Sequence, residues 1–330
     1  GLDTRSRRAF LRQLGRGVDS RTAWILTTHR AADAPRGVTH VARLQSGRIV
    51  HAGPAIQPRS KRPVRERAKE PSAARGNASD VPPAAAAADL IRLHGVRVYR
   101  DERLVIRSLD WKLQQGQHWC VTGPNGSGKS TFIALLYGDL WPAHGGRIER
   151  PLLPAGAPIE DWKRIVGLVS PELQATYAAT ACTVEEIVVS GLHSSIGLNA
   201  STAPRERVLA RRALARLGML ELRGRRAREL SYGQLRLVLL ARAIVAPRRL
   251  LLLDEPFDGL DAATCSIALR VIGDLAAARV QIVLATHHGA DVPDYVRNTL
   301  SLGQSGMTTA TCRDVAAGRA AARRGRRARP

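Results

Sequence analysis

Between residues 90 and 310 the chain alternates short apolar runs with longer stretches of helical periodicity. VRVYR, HWCVTG, RIVGLVS, RRLLLLDEP and QIVLATHH are the runs. Segments this short and apolar, separated by helices, predict strands of a mostly parallel sheet covered on both faces. From about 182 to 249 the pattern turns almost wholly helical. RERVLARRALARLGML places apolar residues at helical spacing with arginines on the opposite face, which predicts a helical subdomain inserted into the α/β core. Two stretches break from this pattern. Residues 55–89 mix proline, alanine and charge with almost no large apolar side chain. Such a segment buries too little surface to offset its ordering entropy, so it reads as a disordered linker, and GRAAARRGRRARP at 318–330 reads likewise.

Charge sharpens this division. The chain of 330 residues carries a net charge of +23. Residues 1–90 hold 17 basic against 7 acidic side chains, 91–310 hold 27 against 20, and 311–330 hold 7 against 1. The excess therefore sits mostly outside the α/β region. With no aromatic interleaving and no nucleic-acid module, it reads as solvated linker and tail, which argues against a nucleic-acid partner. Cys120, Cys182, Cys265 and Cys312 are widely spaced, which suits buried thiols in a reducing compartment better than a zinc site. No apolar run approaches a membrane span. The expected location is the cytoplasm, peripheral to the inner membrane where a membrane partner is engaged.

The chemistry begins at GPNGSGKST, residues Gly123, Pro124, Asn125, Gly126, Ser127, Gly128, Lys129, Ser130 and Thr131. It follows the strand run HWCVTG and leads into a helix, the context a phosphate-binding loop requires. Gly126 and Gly128 let backbone N–H groups converge on phosphate oxygens, and the helix N-terminus adds its partial positive charge. Lys129 is expected to reach the β- and γ-phosphates and Ser130 to coordinate Mg²⁺, with Thr131 lining the same cradle. LLLLDEP then delivers Asp254 and Glu255 at the carboxyl end of a strand, where open α/β sheets bind ligands. Asp254 is the expected metal partner of Ser130, and Glu255 the expected general base on the attacking water.

Between these motifs stands LSYGQLRLVLLARAI, beginning at Leu230. With the phosphate loop and DEPFDGLD, it resembles the nucleotide-binding domain of ABC ATPases over about residues 90–310. The resemblance implies a P-loop NTPase core with a mostly parallel sheet, an antiparallel β subdomain and an inserted helical subdomain. It implies ATP and Mg²⁺ as ligands, and ATP hydrolysis. Ser231, Gly233 and Gln234 would form the signature loop, which closes on an ATP held by a second domain. Asp261 would be the D-loop residue at that seam, His287 the switch histidine at the γ-phosphate, and Tyr99 the aromatic that stacks on adenine. The implied partners are a second ABC nucleotide-binding domain and membrane transporter subunits.

Two positions depart from the family pattern. Tyr232 replaces the first glycine of the usual LSGGQ, and Pro171 in VSPELQ stands where a glutamine normally links Mg²⁺ to the helical subdomain, with Glu172 and Gln174 nearby. These variants are most similar to the ModF-type, photorepair-associated tandem ABC ATPases, which implies a transport-associated role, with molybdate as cargo, or a regulatory one. Translation-factor ABC proteins also join two domains by a basic linker. They carry EPTNHLD-like and SHDR-like motifs where this chain has EPFDGLD and THHG.

An internal echo completes the reading. Asp3 in GLD precedes His29 by 26 residues, and Asp261 precedes His287 by the same 26. This spacing leads us to expect residues 1–53 to be the last part of a first nucleotide-binding domain, 54–89 a linker, 90–310 a complete domain and 311–330 a tail. The other motifs of the first domain would then lie upstream, and the chain alone would be an incomplete ATPase unless two copies pair.

Overall fold

A computed structural model of the chain describes residues 25–27, 38–45, 48–55, 88–198, 201–287, 292–303 and 308–309. Asp3, His29 and most of the expected linker and tail lie outside these residues. The chain divides into two compact units, with the boundary between Ala86 and Ala87. In the first, β1 (His40–Gln45) and β2 (Arg48–Pro54) pair antiparallel, with a register shift between Arg43 and Leu44.

The second unit is built on two sheets. β3 (Asp89–Arg100), β4 (Arg103–Gln114) and β6 (Arg147–Glu149) form an antiparallel sheet in the order β4-β3-β6. β5 (Trp119–Thr122), β7 (Val166–Val169), β8 (Leu250–Asp254), β9 (Gln281–Ala285), β10 (Asn298–Leu302) and β11 (Thr308–Thr309) form the other, in the order β11-β10-β5-β9-β8-β7. Five of these six strands run parallel, and β11 alone is antiparallel. Seven α-helices and two short 3₁₀ turns among the described residues complete the unit. The α-helices are α1 (Lys129–Tyr137), α2 (Ile159–Ile165), α3 (Pro171–Ala178), α4 (Val184–His193), α5 (Pro204–Arg216), α6 (Tyr232–Ile244) and α7 (Ala262–Ala277).

The leucine run of β8 shows why the sheet needs cover on both faces. Strand side chains alternate, so Leu251 and Leu253 join the core under α4, α5, α6 and α7, whereas Leu250 and Leu252 join the core under α1 and the antiparallel sheet. All four are fully buried. Each contributes about 1.5–3 kcal/mol, an upper estimate because the unfolded chain already hides some surface. The helical layer holds a buried polar node as well. Arg242 of α6 donates from Nε to the Tyr177 hydroxyl at 3.1 Å and to Ser190 Oγ at 3.2 Å, and from Nη2 to the Ser195 carbonyl at 2.8 Å. No described helix is long and apolar enough to cross a membrane.

His118, immediately before β5, ties the strand that carries the phosphate loop to its two neighbours. Its Nδ1 accepts from the Ile282 N–H of β9 at 3.2 Å, and its carbonyl accepts from Asn298 Nδ2 of β10 at 3.1 Å. The ring meets Tyr295 edge-on at 5.4 Å. Burial lowers the pKa of His118 below 6.5, and protonating Nδ1 would remove its acceptor. The unfolded chain binds this proton more readily, so the contribution is present above pH 6.5 and lost as pH falls through the lower folded-state value. Thermal unfolding of His118→Gln is therefore expected to show a shallower loss of stability than wild type between pH 7 and 5.5. Equal slopes would contradict the assignment.

Candidate functional site

The phosphate loop links β5 to α1. Gly128 caps α1 with φ +95°, and a Cβ there would lie 2.8 Å from Val105 Cγ1. Glycine alone meets both conditions, left-handed backbone and close approach. Gly126 also has positive φ, at +77°. Lys129, the first residue of α1, folds back over the loop and donates from Nζ to the carbonyls of Gly123 at 3.0 Å and Pro124 at 3.3 Å. Its ammonium lies 3.8 Å from Glu255 Oε1.

Glu255 and its neighbour Asp254 occupy different environments. Asp254 ends β8 with no exposed surface. Neither carboxylate oxygen has a hydrogen-bond partner of good geometry among the described residues. Burial pushes its pKa up to about 6, aided by Glu172 and Glu255 and opposed by the nearby Ser130 hydroxyl and Lys129. Glu255 turns out of the strand with φ +47°, a left-handed conformation costing about 1–3 kcal/mol that recurs at functional sites. The turn is held by Glu255 N–H donating to the Ala285 carbonyl at 2.9 Å. Glu255 Oε1 lies 2.8 Å from His287 Nδ1, which follows β9.

A cavity of about 460 Å³ opens here, with Asn125, Gly126, Gly128, Lys129, Ser130, Thr131, Glu255 and His287 in its wall. The fold thus brings together residues from three strand ends that the sequence singled out separately. Gly123 and Pro124 serve as carbonyl acceptors for Lys129, and the buried Ser127 hydroxyl has no hydrogen-bond partner among the described residues. Tyr99 stands outside the wall, half exposed at the end of β3. Ser231, Gly233, Gln234 and Asp261 are outside it too. Ser231 caps α6, accepting from Gln234 N–H at 3.2 Å while its own N–H donates to Gln234 Oε1 at 3.0 Å. Asp261 caps α7 through Thr264 N–H at 2.7 Å.

Five wall residues escaped the sequence reading as site residues: Val105, Pro171, Tyr232, Arg236 and Asp258. Tyr232 was visible as a departure from glycine, whereas Arg236 is one of two arginines in α6, with Arg242, and carried no signal of its own. Gln174 is buried on α3 and donates from Nε2 to the Tyr232 carbonyl at 3.0 Å, whereas Glu172 is exposed. Of the two residues near the expected glutamine position, Gln174 is therefore the one joined to α6.

A glycine loop between a buried strand and a helix, a lysine folded over it, and a buried aspartate at the end of the next strand but one define a P-loop nucleoside-triphosphate-binding domain. The family model described as ABC transporter matches residues 106–258. ABC transporter ATP-binding protein ModF of Escherichia coli (strain K12) is 33% identical over 218 residues, which are 64% of this chain and 44% of that protein. Zinc uptake system ATP-binding protein ZurA of Listeria innocua is 31% identical over 219 residues, 65% of this chain and 83% of that protein. A solved nucleotide-free ATP-binding cassette from an ABC transporter shares the fold with a TM-score of 0.57 at 22% identity, covering 69% of this chain and 92% of that one. The chain belongs to the ABC transporter ATP-binding family, and its α/β unit is an ATP-binding ABC ATPase domain. It spans less than half the length of the ModF relative.

The buried, unpaired carboxylate yields a test. Asp254→Asn removes a charge that the nucleotide-free domain holds at a cost, so it is expected to stabilise that state by roughly 1–3 kcal/mol above pH 6. The same variant should lose ATP turnover. Thermal unfolding without nucleotide at pH 7.5 reads the first effect, and a lowered Tm would contradict it.

Proposed function

We propose that the domain binds ATP with Mg²⁺ in the P-loop cavity and hydrolyses it, using Glu255 as the general base. The observation that carries this reading is the convergence of Lys129, Glu255 and His287 on one wall beside the buried Asp254. Lys129 supplies charge to the phosphates once it leaves the loop carbonyls it holds now. His287 fixes the Glu255 carboxylate, leaving its second oxygen to accept a proton from water. The orphaned oxygens of Asp254 and the neighbouring Ser130 hydroxyl fit a hard divalent cation. Bound there, Mg²⁺ would neutralise phosphate charge. Tyr99 has the exposure to stack on adenine.

ABC ATPases work as dimers and with membrane transporter components. Ser231, Gly233, Gln234 and Asp261 would form the seam against a second ABC domain, supplied by another copy of this chain or by a longer protein that includes it. The equal 26-residue spacings of Asp3–His29 and Asp261–His287 favour a tandem arrangement in which residues 1–53 belong to the other domain. The relatives include a zinc uptake ATP-binding protein and ModF, so we favour a transport system for an inorganic ion, with molybdate as one candidate cargo.

Steady-state phosphate release tests the chemistry. Lys129→Ala should lower it at least about 100-fold, and Glu255→Gln should lower it about 10²–10⁴-fold while retaining ATP binding. Sedimentation of Glu255→Gln should show dimers at saturating ATP and monomers without it. Turnover unaffected by Lys129→Ala would rule out this cavity as the catalytic site, and a strict monomer would rule out pairing of two copies.

A further inference from the structure

Among the wall residues that the proposed chemistry does not use is one buried cation, Arg236, which shares the wall with Asp258. Arg236 lies one turn into α6 and is 1% exposed, yet it lines the P-loop cavity. Its Nη2 donates to the Tyr232 hydroxyl at 2.6 Å, with the guanidinium 5.3 Å from the centre of that ring. Nε and Nη1 are buried and have no hydrogen-bond partner among the described residues. No carboxylate lies within ion-pair distance of Arg236 among the described residues. Arginine cannot shed its charge by deprotonation, and a buried cation with idle donors is costly to hold. Its planar fork is suited to phosphate oxygens.

Tyr232, its present partner, sits between two parts of the proposed dimer seam. It is half exposed, directly follows Ser231, and lies over Gly259, where an added Cβ would come within 2.6 Å of the ring. The usual glycine at this position could provide neither the hydroxyl nor the ring.

We propose that Arg236 is a second phosphate-binding cation of this cavity. It would engage the terminal phosphate of ATP held by the P-loop of its own domain, exchanging the Tyr232 hydroxyl for phosphate oxygen. The inference rests on the reading that ATP occupies this cavity. Its consequence is a link in cis between bound ATP and the signature loop. Tyr232 restrains the start of α6 against Gly259 through the pair it makes with Arg236, and the terminal phosphate takes that pair apart. ADP, lacking this phosphate, leaves it intact.

The test compares fluorescent N-methylanthraniloyl ATP and ADP binding to the full chain, with Mg²⁺, in wild type, Arg236→Gln, Arg236→Lys, Tyr232→Phe and Lys129→Ala. Arg236→Gln should weaken ATP about tenfold, or 1.4 kcal/mol, and leave ADP nearly unchanged. Arg236→Lys should recover part of the loss. Tyr232→Phe, at an exposed position that folding tolerates, should tighten ATP several-fold but not ADP, because the guanidinium no longer has to leave a hydroxyl. An unchanged ATP-to-ADP preference in Tyr232→Phe overturns the exchange, even if Arg236→Gln does not fold. Equal weakening of both nucleotides in Arg236→Gln, or of neither, overturns the role of Arg236 while leaving the nucleotide site standing. Wild type that binds neither nucleotide removes the site and the inference together.

Discussion

Asp254 carries an ionisable carboxyl at the end of a strand with no surface open to water, and neither oxygen has a hydrogen-bond partner of good geometry among the described residues. A carboxylate in that position is tolerable only where positive potential surrounds it. The fold supplies this potential from α1, whose N-terminus carries the glycine loop, and from Lys129 beside it. The leucines of β8 pin the strand from both faces, so the carboxylate cannot relax toward solvent. Part of the domain's stability is thereby set against itself in the nucleotide-free state, to be recovered when a cation and phosphates arrive.

The same logic extends along the cavity wall. Among the described residues, two nitrogens of the wall residue Arg236 are also buried without hydrogen-bond partners. Each unmade hydrogen bond of this kind costs about 1–3 kcal/mol, more where the group is charged. Idle donors of a buried cation in a cavity wall suit a polar ligand better than packing. Gln174 and Tyr232 join α3 to the head of α6.

The parts legible in the sequence were those whose geometry is local. The phosphate loop declares itself because glycine spacing, lysine and helix start all fall within nine residues. The leucine strand declares itself because a buried parallel strand must be apolar on both faces. Less of the antiparallel sheet could be read. VRVYR is only the end of β3, whose alternation is broken by a register shift between Leu93 and Val96. The helical region also begins earlier than its periodicity suggested. Ser170 caps α3 by accepting from Leu173 N–H, and Pro171 opens the helix, which turns Gln174 inward and Glu172 outward. Arg236 was illegible for another reason. Its place beside residues 125–131 is a tertiary fact, and no pattern within α6 announces it.

The central claim is that this cavity is incomplete without Mg²⁺ and ATP, so their binding must stabilise the folded domain. Thermal unfolding of the wild-type chain with and without Mg²⁺-ATP measures this most directly. At a ligand concentration about 100 times Kd, stabilisation near 2.7 kcal/mol is expected, a rise in Tm of roughly 5–10 °C for a domain of this size. Lys129→Ala should lose most of that rise. An unchanged Tm at millimolar Mg²⁺-ATP, or the same rise in the Lys129→Ala variant, would contradict the account.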